Sequence, residues 1–218
     1  MTKIKKEEKK IKANGRKIPR KYESRKMDEE QVMEVEREGW WVYVLLLSTV
    51  VILAQSLKDY TFSFDNVTLT YSIFILPIIY FVTNYITKKY GYSKSVIGIS
   101  VSGVAMVVFS FIMSFVIGQH FSFYDICGGF CGYVISQFVN LTIYQYILVN
   151  TSGSFILIYL TYLFAFVVNY LFYTLIYMNL LVFDNYWLSY FSTLILQGVI
   201  CFLLVFLDVN IKRGIEVE

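Results

Sequence analysis

Histidine is nearly absent from this chain: His120 is the single one among 218 residues. It has no Cys, Ser or carboxylate partner at a recognisable spacing, so it reads as a solvated loop residue rather than half of a nucleophile–base pair. Cysteine is scarce too. Cys127, Cys131 and Cys201 all fall in apolar stretches, and the four-residue step between the first two puts them on one helix face, not in a metal knuckle. No HExxH, GxSxG, phosphate-loop or dinucleotide pattern occurs. These gaps argue against an enzyme, and no cofactor and no metal is expected.

Charge is the third shortage. Charged residues make up 16% of the chain and hydrophobic ones 57%, where a soluble domain carries about 25% charged residues. Thirteen of the nineteen Lys and Arg lie before Trp40. Residues 1–26 hold twelve basic and three acidic side chains; residues 27–39 hold one basic and six acidic. The segment 1–39 is expected to be a charged, disordered cytoplasmic tail. No short apolar core follows the charges closely, so a signal peptide is not expected.

What is present after Trp40 is a series of apolar runs. About twenty such residues cross a bilayer core, and six segments qualify: Trp40–Leu57, Thr70–Thr87 with Pro77 inside it, Ser95–Gly118, Phe123–Val149, Ser154–Val182 and Trp187–Asp208. The expected fold is an all-α integral membrane protein, a bundle of six transmembrane helices over residues 40–210, with a short tail at 211–218. With six spans, eighteen of the nineteen basic residues fall on one face and only Lys58 on the other. Positive charge gathers inside, so both termini are expected in the cytoplasm and the protein in the cell membrane. Pro77 is expected to kink or loosen the second span.

The carboxylates after the tail, among them Asp59, Asp65, Asp125, Asp184 and Asp208, fall in loops, at helix ends or in the C-terminal tail, so no ionisable pair is expected at mid-membrane. What is buried is neutral and polar: Thr83, Asn84, Gln137, Asn140, Asn169 and Gln197. A buried amide without a partner costs a few kcal/mol. Two answers stay open: the amides bond each other across helices, or they face a polar guest. Gln137 and Asn140 share a face that Tyr144 continues one turn on, and a flat heterocycle suits both amides and rings.

The stretch Thr68 to Gly91, with Pro77, Phe81, Thr83, Asn84, Tyr90 and Gly91 and then Lys94, resembles the signature of the vitamin uptake transporter family, associated with import of queuosine precursors. Ser136-Gln137-Phe138-Val139-Asn140 resembles that family's Ser/Gly-Gln-x-x-Asp, and the segment around Asn169 resembles its later helix. The resemblance runs from about Thr68 to the end of the chain. At Asn84, Asn140 and Asn169 the family's pattern has Asp. A carboxylate accepts two hydrogen bonds from the N–H edge of a guanine-like base, whereas an amide offers one acceptor and one donor group.

The resemblance implies a membrane importer of a small neutral heterocycle, a queuosine precursor of the 7-deazaguanine type or a related base or vitamin. The alternative is a substrate-binding or regulatory membrane subunit, like the capture component of an energy-coupling-factor transporter, which needs a partner module and carries a different ligand. Expected substrate-binding residues are Asn140 and Asn169 on consecutive antiparallel helices, then Asn84, which counting puts nearer the cytoplasmic end, then Gln137 and Thr83. Expected partners are the small-molecule substrate and the lipid bilayer, with either an ATP-driven energy-coupling module or a second copy; no nucleic-acid partner is expected.

Overall fold

Backbone polar groups in hydrocarbon must be bonded within their own segment, and a long apolar run meets that demand as a helix. The computed structural model describes residues 39–58, 60–117, 123–151, 153–177 and 186–211. The charged tail up to residue 38, the segment from 212 onward, Asp59 and His120 lie outside the described residues. The chain divides into two units, 1–41 and 42–218. In the first, the rings of Trp40 and Trp41 pack 4.0 Å apart.

Six helices occur among the described residues: α1 Trp40–Leu57, α2 Leu76–Tyr90, α3 Tyr92–Ile117, α4 Phe123–Asn150, α5 Phe155–Tyr177 and α6 Tyr186–Asn210. Five of them, all but α2, are long and apolar enough to cross a membrane. Their outward faces are apolar: Phe115, Val104, Ile195, Leu203 and Phe206 stand exposed. Water would not tolerate so much bare hydrocarbon, whereas lipid covers it at no cost. This is the architecture of a multi-pass helical membrane protein.

The second segment departs from expectation. Thr70–Thr87 is not one helix. A two-stranded hairpin comes first, β1 Thr61–Phe64 paired antiparallel with β2 Val67–Thr70, Phe64 opposite Val67. Its two-residue turn puts Asp65 at φ 53°, a left-handed conformation that Asp tolerates. The Thr68 N–H donates to Ser189 Oγ at 3.0 Å, which ties the hairpin to the start of α6. A 3₁₀ turn over Tyr71–Phe74 leads into α2. Pro77 therefore stands in the first turn of α2 and kinks nothing. Its missing N–H would have been an orphan there anyway.

Although short, α2 is buried on most sides. Ile79, Val82 and Ile86 pack in one apolar cluster with Leu47, Ile99 and Leu141; Tyr80 packs in a second with Tyr144, Ile158, Tyr162, Phe166 and Cys201. Helices α1 and α3 thus close on one flank of α2, and α5 and α6 on the other, with α4 serving both. The link from α2 to α3 is a single residue: Gly91, at φ 91°, ends α2 by donating its N–H to Thr87 O, and α3 starts at Tyr92. Only glycine takes that backbone angle freely.

The small residues pack as expected of a membrane bundle. A side chain at Gly103 would meet the Phe130 ring at 3.1 Å, one at Gly129 the Gln55 carboxamide at 3.2 Å. Ser102 and Tyr133 share a 2.6 Å hydrogen bond between α3 and α4. Gly103→Val is expected to lower stability by about 1–3 kcal/mol, while Gly98→Ala, whose new methyl meets Val44 at an ordinary 3.5 Å, changes little. Unfolding of both variants in detergent or bilayers checks the contrast.

Candidate functional site

Helical spacing gathers the polar side chains. On α2, Thr83, Asn84, Thr87 and Lys88 follow at steps of one, three and one and share the buried side. On α4, Ser136, Gln137, Asn140 and Tyr144 are buried together. On α6, Thr193, Gln197, Cys201, Val205 and Asp208 form one inward stripe. These faces meet at the centre of the bundle.

The core of the site is a pair of carboxamides. Asn140 Nδ2 donates to Asn84 Oδ1 at 2.8 Å, and neither residue has any exposed area. One half of each amide is used. The other halves, Asn84 Nδ2 and Asn140 Oδ1, have no protein partner, and neither has Gln137 Oε1 nearby on α4. The pair therefore presents an open donor and an open acceptor, joined by a second acceptor. Tyr162 of α5 is fully buried, and its hydroxyl has no hydrogen-bond partner. Gln197 of α6 is fully buried with both amide atoms open.

The remaining predicted residues lie differently. Thr83 is buried, but its hydroxyl bonds back to Ile79 O at 3.0 Å, so its polar atom is spent on its own helix. Asn169 is half-buried, and its Nδ2 reaches the Tyr80 hydroxyl at 3.4 Å, which in turn donates to Ala165 O at 3.4 Å. Its Oδ1 lies against Gly132, eight residues and about 12 Å along α4 from Asn140. The structure thus joins Asn140 to Asn84 rather than to Asn169; the offset expected of Asn84 is absent relative to Asn140 and present relative to Asn169.

A charged pair also lies inside. Lys88 Nζ donates to the backbone carbonyl of Asp208 and stands 3.5 Å from its Oδ1, with both side chains buried. Tyr144 donates to the same Oδ1 at 2.8 Å. The pair stands in the last turns of α2 and α6, where Asp208 was expected at a helix end, but Lys88 is buried in α2 and is not the solvated loop charge that its place after Thr87 suggests. Charge counting hid the pair, while the four-residue step from Asn84 to Lys88 and the inward stripe of α6 would have revealed it.

Neither family models, nor curated proteins, nor solved structures give a match to this chain. The chemistry rests on the geometry. Among the described residues no cluster of His, Cys, Asp or Glu could hold a metal ion. A groove of about 690 Å³ between α5 and α6, lined by Tyr159, Leu163, Ile195, Gly198 and Phe202, is almost wholly apolar and suits lipid better than a polar guest. Most of the buried polar side-chain atoms left without a partner among the described residues belong to amides.

Asn84 and Asn140 should couple energetically. Each Ala substitution alone costs about 0.6–2 kcal/mol, and the double variant costs less than the sum of the two. A double-mutant cycle on unfolding measures this, and strict additivity would mean the two amides do not bond.

Proposed function

We propose that the chain is a six-span importer of a small neutral heterocycle, with both termini in the cytoplasm and the Asn84–Asn140 pair reading the guest. The observation that carries this reading is the pair itself: two fully buried amides that satisfy each other by half and leave one donor and one acceptor open. Glue between helices needs no open atoms, whereas a guest with a lactam-like edge fills both.

Two features support six crossings. Helix α2 alone measures about 22 Å, and the 3₁₀ turn before it adds about 8 Å, which together match a hydrocarbon core near 30 Å. The last turns of α2 and α6 also meet at Lys88 and Asp208, as two helices that cross in the same direction would. Lys89 and Lys94 stand beside that end, and positive charge marks the cytoplasmic face.

The resemblance to the vitamin uptake transporter family adds the substrate class, a 7-deazaguanine-type queuosine precursor. Asn84, Asn140 and Gln137 are the contacts, with Tyr144 and Tyr162 close by as flat walls. The test is queuosine content of tRNA in a bacterium without its own importer or precursor synthesis, given a low external dose. Expression of the chain is expected to restore modification. Asn84→Ala and Asn140→Ala each raise the dose required by about tenfold, the equivalent of one hydrogen bond of about 1.4 kcal/mol. No restoration with the protein confirmed in the membrane contradicts the reading.

A further inference from the structure

The register of the hairpin between α1 and α2 sorts its side chains by polarity. Cross-strand partners share a face, and faces alternate along each strand. Phe62 stands opposite Leu69 and Phe64 opposite Val67, so one face is wholly apolar. Thr61 stands opposite Thr70 and Ser63 opposite Thr68, so the other face carries only hydroxyls. There Ser63 Oγ and Thr68 Oγ1 lie 3.2 Å apart. The one charge between Tyr60 and Phe74 is Asp65, in the turn.

The protein covers the apolar face only in part. Val67 and Leu69 are half-buried, whereas Phe64 is 79% exposed. None of the four residues packs into the two apolar clusters around α2. Phe62 instead meets the rings of Tyr71 at 5.0 Å and Phe74 at 6.2 Å, both themselves exposed. The hairpin bonds α6 at its edge, through the Thr68 N–H and Ser189 Oγ. A two-stranded hairpin is marginal in water on its own, so its apolar face needs a surface to lie on.

Position identifies that surface. The hairpin follows the end of α1 and touches the start of α6, two helices long and apolar enough to cross a membrane. Exposed Leu53 on α1 and Leu188 and Phe191 on α6 carry the lipid-facing surface up to it. The hydrocarbon core itself excludes the hairpin, because the outer edge of β1 has N–H and C=O groups that no strand pairs. The headgroup layer holds water for that edge and accommodates aromatic rings.

We propose that the hairpin Thr61–Thr70 is an anchor lying in the lipid headgroup layer. Phe62, Phe64, Val67 and Leu69 turn to the acyl chains, and the hydroxyl face turns to water. β2 runs through the 3₁₀ turn into α2, so the anchor also fixes the height of α2 against the bilayer. This inference rests on the multi-pass architecture and not on the transport reading.

The test places photoreactive benzoylphenylalanine in place of Phe64, or of Ser63, in the full chain reconstituted in phosphatidylcholine vesicles. Both positions are exposed, so neither change disturbs packing. After irradiation, mass spectrometry is expected to find lipid adducts severalfold more abundant from the Phe64 position than from the Ser63 position. Equal yields at the two positions, or none from the Phe64 position, mean that lipid does not distinguish the faces, and overturn the anchor. Crosslinked dimers from the Phe64 position instead of lipid adducts assign the apolar face to a second copy, and overturn it as well.

Discussion

A buried polar atom in a bilayer has no water to fall back on, and α2 concentrates that problem in fifteen residues. It carries Thr83, Asn84, Thr87 and Lys88 on a helix enclosed from both flanks. Three of its neighbours each answer one of these groups. Thr87 meets Ser95 of α3 at 2.8 Å, Asn84 meets Asn140 of α4, and Lys88 meets Asp208 of α6. The polar face of α2 thereby sets which helices stand next to it and at what height.

The bonds are unequal. Thr87 and Thr83 are closed off within the helices, and Ser102 with Tyr133 likewise. The groups left partly or wholly unsatisfied among the described residues are Asn84, Asn140, Gln137, Tyr162, Gln197 and Asp208. Structural polar networks in an apolar bundle gain from complete satisfaction, and an incomplete one is poor glue. Its concentration on α2, α4, α5 and α6 is the physical basis for reading it as a place for a guest.

Much of the fold was legible in the sequence because an uninterrupted apolar run has few readings. Trp40–Leu57 emerges with both ends as expected, and α3, α4 and α6 shift by a few residues. The failures cluster at Thr61–Thr87. The alternation in Thr61-Phe62-Ser63-Phe64 and Val67-Thr68-Leu69-Thr70 around Asp65-Asn66 is a hairpin pattern, yet beside long helices it passes for a polar loop. A helix begun at Thr70 has Pro77 in its interior, whereas the true start at Leu76 has it in the first turn. Asn84, Asn140 and Gln137 were visible as amides in apolar surroundings. Their depth was not, because axial height depends on how helices are packed, and this is why Asn169 looked like Asn140's partner. Lys88 and Asp208 were missed since rules for loop charges assume contact with water.

The central claim is that Asn84 and Asn140 together, and not Asn169, read the guest. Solid-state nuclear magnetic resonance of side-chain amides in bilayers, with and without 7-aminomethyl-7-deazaguanine, addresses it directly. The account predicts that the Asn84 and Asn140 amide signals move on addition while that of Asn169 stays. If Asn169 alone moves, or if all three hold still at saturating guest, the paired amides are structural and the account is wrong.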